Sequence, residues 1–255
     1  AGASAPALDA CRALGVRLTT ILNTHTHPDH VGINHALGDL SSVRVVGPKR
    51  KAADVPGLDE PVDEGDALDL FGVPVKVMLT EGHIDGHVSY ALDGAVFCGD
   101  TLFAAGCGYL FDGPPVKMHD SLQRLSALPD DTRVFCAHEY TQDNLRFAWS
   151  VEPDNEALRD RIRAAWAVRA RGESTVPSTI GLEKATNPFL RPHSTTIRRT
   201  VAEALPGREL ATDADVFAAT RALKDEKTYR ERGDDDRSVL HRSRGGRRVC
   251  RPDGL

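Results

Sequence analysis

The stretch Thr24-His25-Thr26-His27-Pro28-Asp29-His30 places three histidines and a carboxylate within seven residues. It follows residues 18–22, an apolar, β-branched run that predicts a buried strand. In an extended segment, residues two apart point the same way, so His25 and His27 can reach one ion together. Asp29 and His30 stand at the start of a helix predicted over residues 31–37, where their side chains would reach a second position beside the first. This loop therefore predicts a metal site with two separate pairs of ligands.

Three further candidate ligands follow predicted strands elsewhere in the first half of the chain. They are His83 after residues 73–79, Asp100 after residues 95–98 and His138 after residues 134–136. Loops at one edge of a sheet are where a scaffold presents functional groups, so we expect all four segments to converge. Neutral imidazoles with carboxylates suit zinc, iron or manganese and do not separate them. His87, four residues beyond His83, is expected to pack beside the ligands rather than bind the ion.

Bulk composition excludes several classes of partner. With 255 residues and a net charge of −5, the chain gives no reason to expect nucleic acid. No apolar run approaches the roughly 20 residues that span a bilayer, so no membrane partner is expected. The five cysteines form no C-x-x-C pair, which fits a reducing cytoplasm and argues against a thiolate metal site. We expect a cytoplasmic monomer that acts on a small molecule.

The predicted secondary structure changes along the chain. Residues 1–140 alternate short β-type runs with helical patterns and predict a mixed α/β, metal-binding domain. Residues 141–230 carry helical spacing without a convincing strand and predict a smaller, substrate-binding helical domain. Residues 231–255 are rich in Arg and Asp, without periodicity, and predict a disordered tail.

At this point the sequence resembles the metallo-β-lactamase superfamily, whose signature T-H-x-H-x-D-H is met in full by residues 24–30. Within it, the chain is similar to the glyoxalase II (hydroxyacylglutathione hydrolase) family. The segments that carry this narrower likeness are A-H-E-Y-T at 137–141, T-V-P-S-T at 175–179 and N-P-F-L-R at 187–191. The resemblance implies an αββα sandwich, lacking the family's first strands, followed by a small helical domain.

The resemblance also implies a binuclear site with two divalent metal ions, zinc foremost and iron or manganese as alternatives. One ion would be bound by His25, His27 and His83, and the second by Asp29, His30 and His138, with Asp100 bridging both.

The implied glutathione site comprises Tyr140 together with Arg221 and Lys224 of an R-x-x-K-D pattern. The last two are three residues apart, share a helix face and could hold a carboxylate of the tripeptide.

Two positions depart from the family pattern. Tyr109 stands in the substrate-binding position after G-C-G where the family usually has Lys or Arg, which leaves the identity of the thiol open. Residues 80–84 read T-E-G-H-I in place of T-P-G-H-T, so the metal ligand is retained while a hydroxyl is lost.

The function implied is hydrolysis of S-D-lactoylglutathione to D-lactate and glutathione, which detoxifies methylglyoxal. The hypothesis is that a hydroxide shared by the two ions attacks the thioester carbonyl, with Asp100 and Asp29 as the catalytic carboxylates. The first alternative is a persulfide dioxygenase with a single iron on the same fold. The second is a truncated, inactive family member.

Overall fold

The computed structural model describes residues 4–230. The tail predicted at residues 231–255 lies outside the described residues. None of the described helices is both long and apolar enough to cross a membrane.

Most strands of the described chain belong to two sheets. The small sheet is parallel and runs in the order β1-β2-β3, and the large sheet runs in the order β11-β10-β7-β6-β5-β4. Strands β8 and β9 form a separate short hairpin. The bounds are β1 Thr20–Leu22, β2 Arg44–Pro48, β3 Glu60–Val62, β4 Ala67–Leu70, β5 Val73–Leu79, β6 Val88–Leu92, β7 Ala95–Gly99, β8 Leu102–Phe103, β9 Gly106–Cys107, β10 Arg133–Cys136 and β11 Ser178–Thr179.

Helices cover the outer faces of the two sheets. They are α1 Ser4–Leu14, α2 Gly32–Leu37, α3 Pro115–Ser126, α4 Thr141–Val151, α5 Glu156–Ala170, α6 Ile180–Thr186, α7 Thr195–Ala204 and α8 Asp213–Glu226, with short 3₁₀ helices at Lys49–Asp54, Pro188–Leu190 and Thr228–Arg230.

Three apolar clusters define four layers. Val46 and Val62 of the small sheet pack between the sheets against Val77 and Tyr90 of the large sheet. On the outer face of the small sheet, β1 and β2 pack against α2. The outer face of the large sheet packs against α3 and also against α4, α7 and α8. Because this last cluster is continuous, the C-terminal helices pack directly on the sheet that carries His83 and Asp100.

The predicted elements around the candidate ligands agree with the structure. Strand β5 has the predicted bounds, and β1, α2, β7 and β10 differ from the predicted bounds by one or two residues. The expectation of no strand after residue 141 is wrong, because β11 pairs antiparallel with β10 through Arg133 and Thr179. A two-residue strand has no periodicity of its own and exists only through this tertiary pairing.

Candidate metal centre

The loop between β1 and α2 is fixed from both sides by buried polar groups. The Asn23 side chain donates to the carbonyl of His30 at 2.9 Å, and it exchanges hydrogen bonds with Asn34 in α2. The hydroxyl of Tyr90 donates to the Asn23 carbonyl at 2.8 Å, and the Val88 amide donates to the Thr24 carbonyl at 2.9 Å. The histidine loop is therefore held against β6 of the large sheet as well as the small sheet from which it emerges.

His25, His27 and His83 bring three ring nitrogens together. Nδ1 of His27 lies 3.1 Å from Nε2 of His25 and 3.0 Å from Nε2 of His83. Four nitrogens placed tetrahedrally around zinc at 2.0–2.1 Å would lie roughly 3.4 Å apart, so these separations suit one ion. Nδ1 of His83 lies 2.7 Å from the Tyr109 carbonyl, which can only accept. The proton is thus on Nδ1, and the lone pair of Nε2 faces the cluster.

Asp29, His30 and His138 form a second group beside the first. Oδ2 of Asp29 lies 3.3 Å from Nε2 of His30 and 3.1 Å from Nε2 of His138. Asp100 stands between the groups: its Oδ1 is 3.3 Å from Nε2 of His30, and its Oδ2 is 3.6 Å from Nε2 of both His83 and His138. The structure thus brings all seven predicted ligands together.

Two buried atoms test whether these residues fit an ion. His30 Nε2 and Asp100 Oδ1 are buried, and although they lie 3.3 Å apart they form no hydrogen bond with each other or with any other described residue. Buried polar atoms are nearly always satisfied, and a bound ion would satisfy both of these. His30 also groups with His25 and Asp100 within coordination reach, so Asp100 has potential co-ligands on both sides. The donor set fits a pair of divalent cations.

Burial sets the protonation of the cluster. It lowers the pKa of His30 and of His83 to about 4, and that of His25 far below its ordinary value. These imidazoles are therefore neutral at pH 7, which is the form that binds metal. Burial, with a contribution from the Asp29 carboxylate, raises the pKa of Asp100 to about 6.

His87 supports the ligands without joining them. It is fully buried, and its Nε2 accepts from the Asp100 amide at 3.2 Å. Its Nδ1 faces the hydroxyls of Thr80 and Thr101, and its ring stacks on that of His25 with centroids 4.8 Å apart. These contacts match the packing role expected from the sequence.

Exposed aromatic rings border the open side of the centre. Tyr140 is 51% exposed, and its ring stacks on that of His138 at 5.2 Å. Tyr109 is 52% exposed, and its ring contacts that of Phe111 at 4.8 Å. The Phe111 ring in turn lies 5.3 Å from those of His27 and His83. Sequence reasoning missed Phe111; its position two residues after Tyr109 was the available signal.

Arg221 and Lys224 lie side by side on α8, and this part of the helix is not exposed to solvent. Both are buried; Arg221 donates to the Cys107 carbonyl at 3.3 Å and pairs with Asp225 at 2.5 Å. Lys224 donates to Asn144 Oδ1 at 2.7 Å, and burial lowers its pKa to about 8. Two buried cations directly behind β9 are costly to bury, which favours a functional role over a surface one. Their contact with a substrate stays a prediction.

Comparisons with known proteins agree with this geometry. Residues 5–138 match the family described as the metallo-beta-lactamase superfamily, and residues 139–227 match the hydroxyacylglutathione hydrolase C-terminus. The chain is 48% identical over 222 residues to a hydroxyacylglutathione hydrolase of Rhizobium meliloti (strain 1021), covering 86% of this chain and 85% of that protein. It is 48% identical over 213 residues to the hydroxyacylglutathione hydrolase of Maricaulis maris (strain MCS10), covering 83% and 81%.

Solved structures share the architecture. The crystal structure of ETHE1 from Myxococcus xanthus matches with a TM-score of 0.55 and 27% identity, covering 85% of this chain and 83% of that one. The structure of TTHA1623 in a di-iron-bound form matches with a TM-score of 0.50 and 27% identity, covering 72% and 84%. The predicted fold, an αββα sandwich followed by a helical region, is confirmed. The chain belongs to the hydroxyacylglutathione hydrolase family of the metallo-beta-lactamase superfamily.

Proposed function

We propose that this protein hydrolyses the thioester S-D-lactoylglutathione to D-lactate and glutathione with the help of two divalent metal ions. The observation that carries the proposal is the pair of ligand groups, His25–His27–His83 and Asp29–His30–His138, with Asp100 between them. The relatives named hydroxyacylglutathione hydrolase, which are 48% identical over most of their length, support the choice of substrate.

Two ions bound there would polarise the thioester carbonyl and supply an acidified water as the nucleophile. The protein's own contribution is orientation. The Tyr109 carbonyl holds the tautomer of His83, and His87 holds the Asp100 backbone, so the ligand atoms are fixed before substrate arrives. Asp100, whose carboxylate faces both groups, would orient the nucleophile, and Asp29 would complete the second group. Because a thiolate leaves readily, the reaction needs no strong general acid from the protein.

The substrate-binding side chains are proposed from their positions around the centre. Tyr140 and Tyr109 border its mouth, and Arg221 and Lys224 lie behind β9, which ends in Cys107. We assign the two cations to a carboxylate of the tripeptide, which would replace part of their present bonding to Asp225 and Asn144. Because Tyr109 carries no charge at a position where the family usually has Lys or Arg, thioesters of other thiols are to be tested alongside those of glutathione.

Zinc is the ion proposed for both positions, because the donors are imidazoles with a few carboxylate oxygens. Iron and manganese accept the same donors, and a solved relative is described in a di-iron-bound form. The domain division at residue 140, a cytoplasmic location and a monomeric state are further parts of the proposal. The four described cysteines are free, which fits a reducing compartment.

Metal analysis and a thioesterase assay on one purified sample test the proposal. We expect up to two ions per chain and hydrolysis of S-D-lactoylglutathione in preference to thioesters of other thiols. Full activity after changing both Asp29→Ala and Asp100→Ala would rule the mechanism out. One iron per chain with oxygen uptake on a persulfide would instead identify the dioxygenase alternative.

A further inference from the structure

The first ligand group joins loops that belong to different sheets. His25 and His27 follow β1 of the small sheet, whereas His83 follows β5 of the large sheet. Their nitrogens nevertheless meet within 3.0–3.1 Å. Metal affinity depends on how firmly such ligands are held before the ion binds. Any contact that ties the His83 loop to the small sheet is therefore relevant to the metal.

Glu81 spans the loop that carries His83. The base of this loop is closed by the Thr80 amide, which donates to the His87 carbonyl at 2.8 Å. Inside that base, Oε1 of Glu81 accepts from the Gly86 amide at 2.8 Å, so the side chain bridges the two ends of the loop. The Glu81 carbonyl also accepts from the Ser121 hydroxyl at 2.6 Å, which anchors the loop on α3.

Arg50 joins this bridge to the small sheet. It lies in the 3₁₀ helix directly after β2, and its Nη1 donates to Oε1 of Glu81 at 3.2 Å. Its Nε pairs at 3.2 Å with Asp63, the residue directly after β3. The backbones also approach closely, because a Cβ built on Gly86 would lie 3.2 Å from Cβ of Arg50 and 3.0 Å from Cγ of Lys51.

We propose that Glu81, held by Arg50, is a positioning residue for the first metal. It fixes the His83 loop against the small sheet, so that His83 meets His25 and His27 in a geometry ready for the ion. In the family pattern this position is usually proline, and here a hydrogen bond and an ion pair hold the loop. The inference rests on the proposed metal centre and not on the identity of the substrate.

Metal release from the zinc-loaded full-length protein tests it. We would follow the transfer of both ions to an excess of a chromophoric chelator and resolve a phase for each metal. Glu81→Ala should speed release from the histidine group by roughly tenfold, as loss of a contact that orients ligands does elsewhere. Glu81→Gln keeps an acceptor for the Gly86 amide, and Arg50→Ala leaves the bond between Gly86 and Glu81 intact. Each of these two variants should therefore speed metal release by only about threefold. The matched control is Asp130→Ala, which breaks an exposed 2.7 Å pair with Lys184; Asp130 precedes β10, whereas the ligand His138 follows the other end of that strand.

The proposal is supported if one release phase is accelerated most in Glu81→Ala and less in Glu81→Gln and Arg50→Ala, while the control is unchanged. Unchanged release in the Glu81 variants, or equal acceleration of both phases, overturns it. If Glu81→Ala does not fold, the two milder variants decide by the same criterion. The readout needs no turnover, so a protein that releases two ions as expected but hydrolyses no thioester would refute only the proposed function.

Discussion

Replacing Glu183 with alanine should cost this protein much of its stability. Glu183 lies on α6, fully buried, and one of its oxygens accepts from Arg161 and Ser178. The other accepts from the Ala105 amide at 2.8 Å and from Asn187 Nδ2 at 3.0 Å. Ala105 is at the turn of the β8–β9 hairpin with a φ of 58°, and β8 is the strand that follows Asp100. The carboxylate therefore binds the C-terminal helices to the hairpin beside the metal centre.

The magnitude follows from burial of the ion pair. Glu183→Ala leaves the Arg161 guanidinium, on a side chain that is 6% exposed, without its carboxylate partner. Breaking a buried pair in this way costs about 3–5 kcal/mol, most of it the penalty for the remaining charge. For a chain of this size that corresponds to a fall in Tm of roughly 6–20 °C, at about 2–4 °C per kcal/mol.

Urea unfolding followed by circular dichroism would measure this loss. Glu183→Gln should lose less, because it keeps an acceptor for Ala105, and the exposed helical control Glu203→Ala should change the free energy of unfolding by less than about 0.5 kcal/mol. A loss below about 1 kcal/mol in Glu183→Ala would refute the reasoning, since it would mean that Arg161 finds water or another partner without cost.

Three further predictions follow from the same contacts. The free energy of unfolding of the metal-free protein should fall as pH drops from about 6.5 to about 4, because the unfolded chain protonates His30 and His83 while burial keeps them neutral in the folded state. Asp100, with its raised pKa, opposes this fall in part. A Tm that does not change over this pH range would contradict the prediction. Gly82→Ala should lower the free energy of unfolding by about 2–5 kcal/mol in urea melts, because φ is 128° and the new Cβ would lie 2.5 Å from Cα of Met118. The control Gly94→Ala has open space around the new Cβ and should lower it by about 1 kcal/mol. Lys224→Met should raise KM for the glutathione thioester by about tenfold with little change in kcat, in steady-state kinetics; an unchanged KM would remove Lys224 from the binding site.

The sequence was informative where chemistry is concentrated locally. Four of the seven candidate ligands lie within six residues, and the other three each follow an apolar strand, so their convergence could be predicted. The family segments then indicated both the fold and the C-terminal helices.

Contacts between distant positions could not be predicted. Glu183 and Ala105 are 78 residues apart, and nothing near either residue signals the other. Strand β11 depends on pairing with β10, and the Glu81–Arg50 pair depends on how the two sheets are placed. The burial of Arg221 and Lys224 was also hidden, because an R-x-x-K spacing looks the same on an exposed helix.

The central claim is that this protein hydrolyses a glutathione thioester with two metal ions that the two ligand groups and Asp100 would hold. It is tested most directly by titrating the metal-free protein with zinc while measuring the hydrolysis of S-D-lactoylglutathione. We expect activity to rise to a plateau at two ions per chain, and Asp100→Asn to lower both the number of ions retained and kcat. A plateau at one ion with full activity, or an Asp100→Asn variant that matches the unmodified protein, would contradict it.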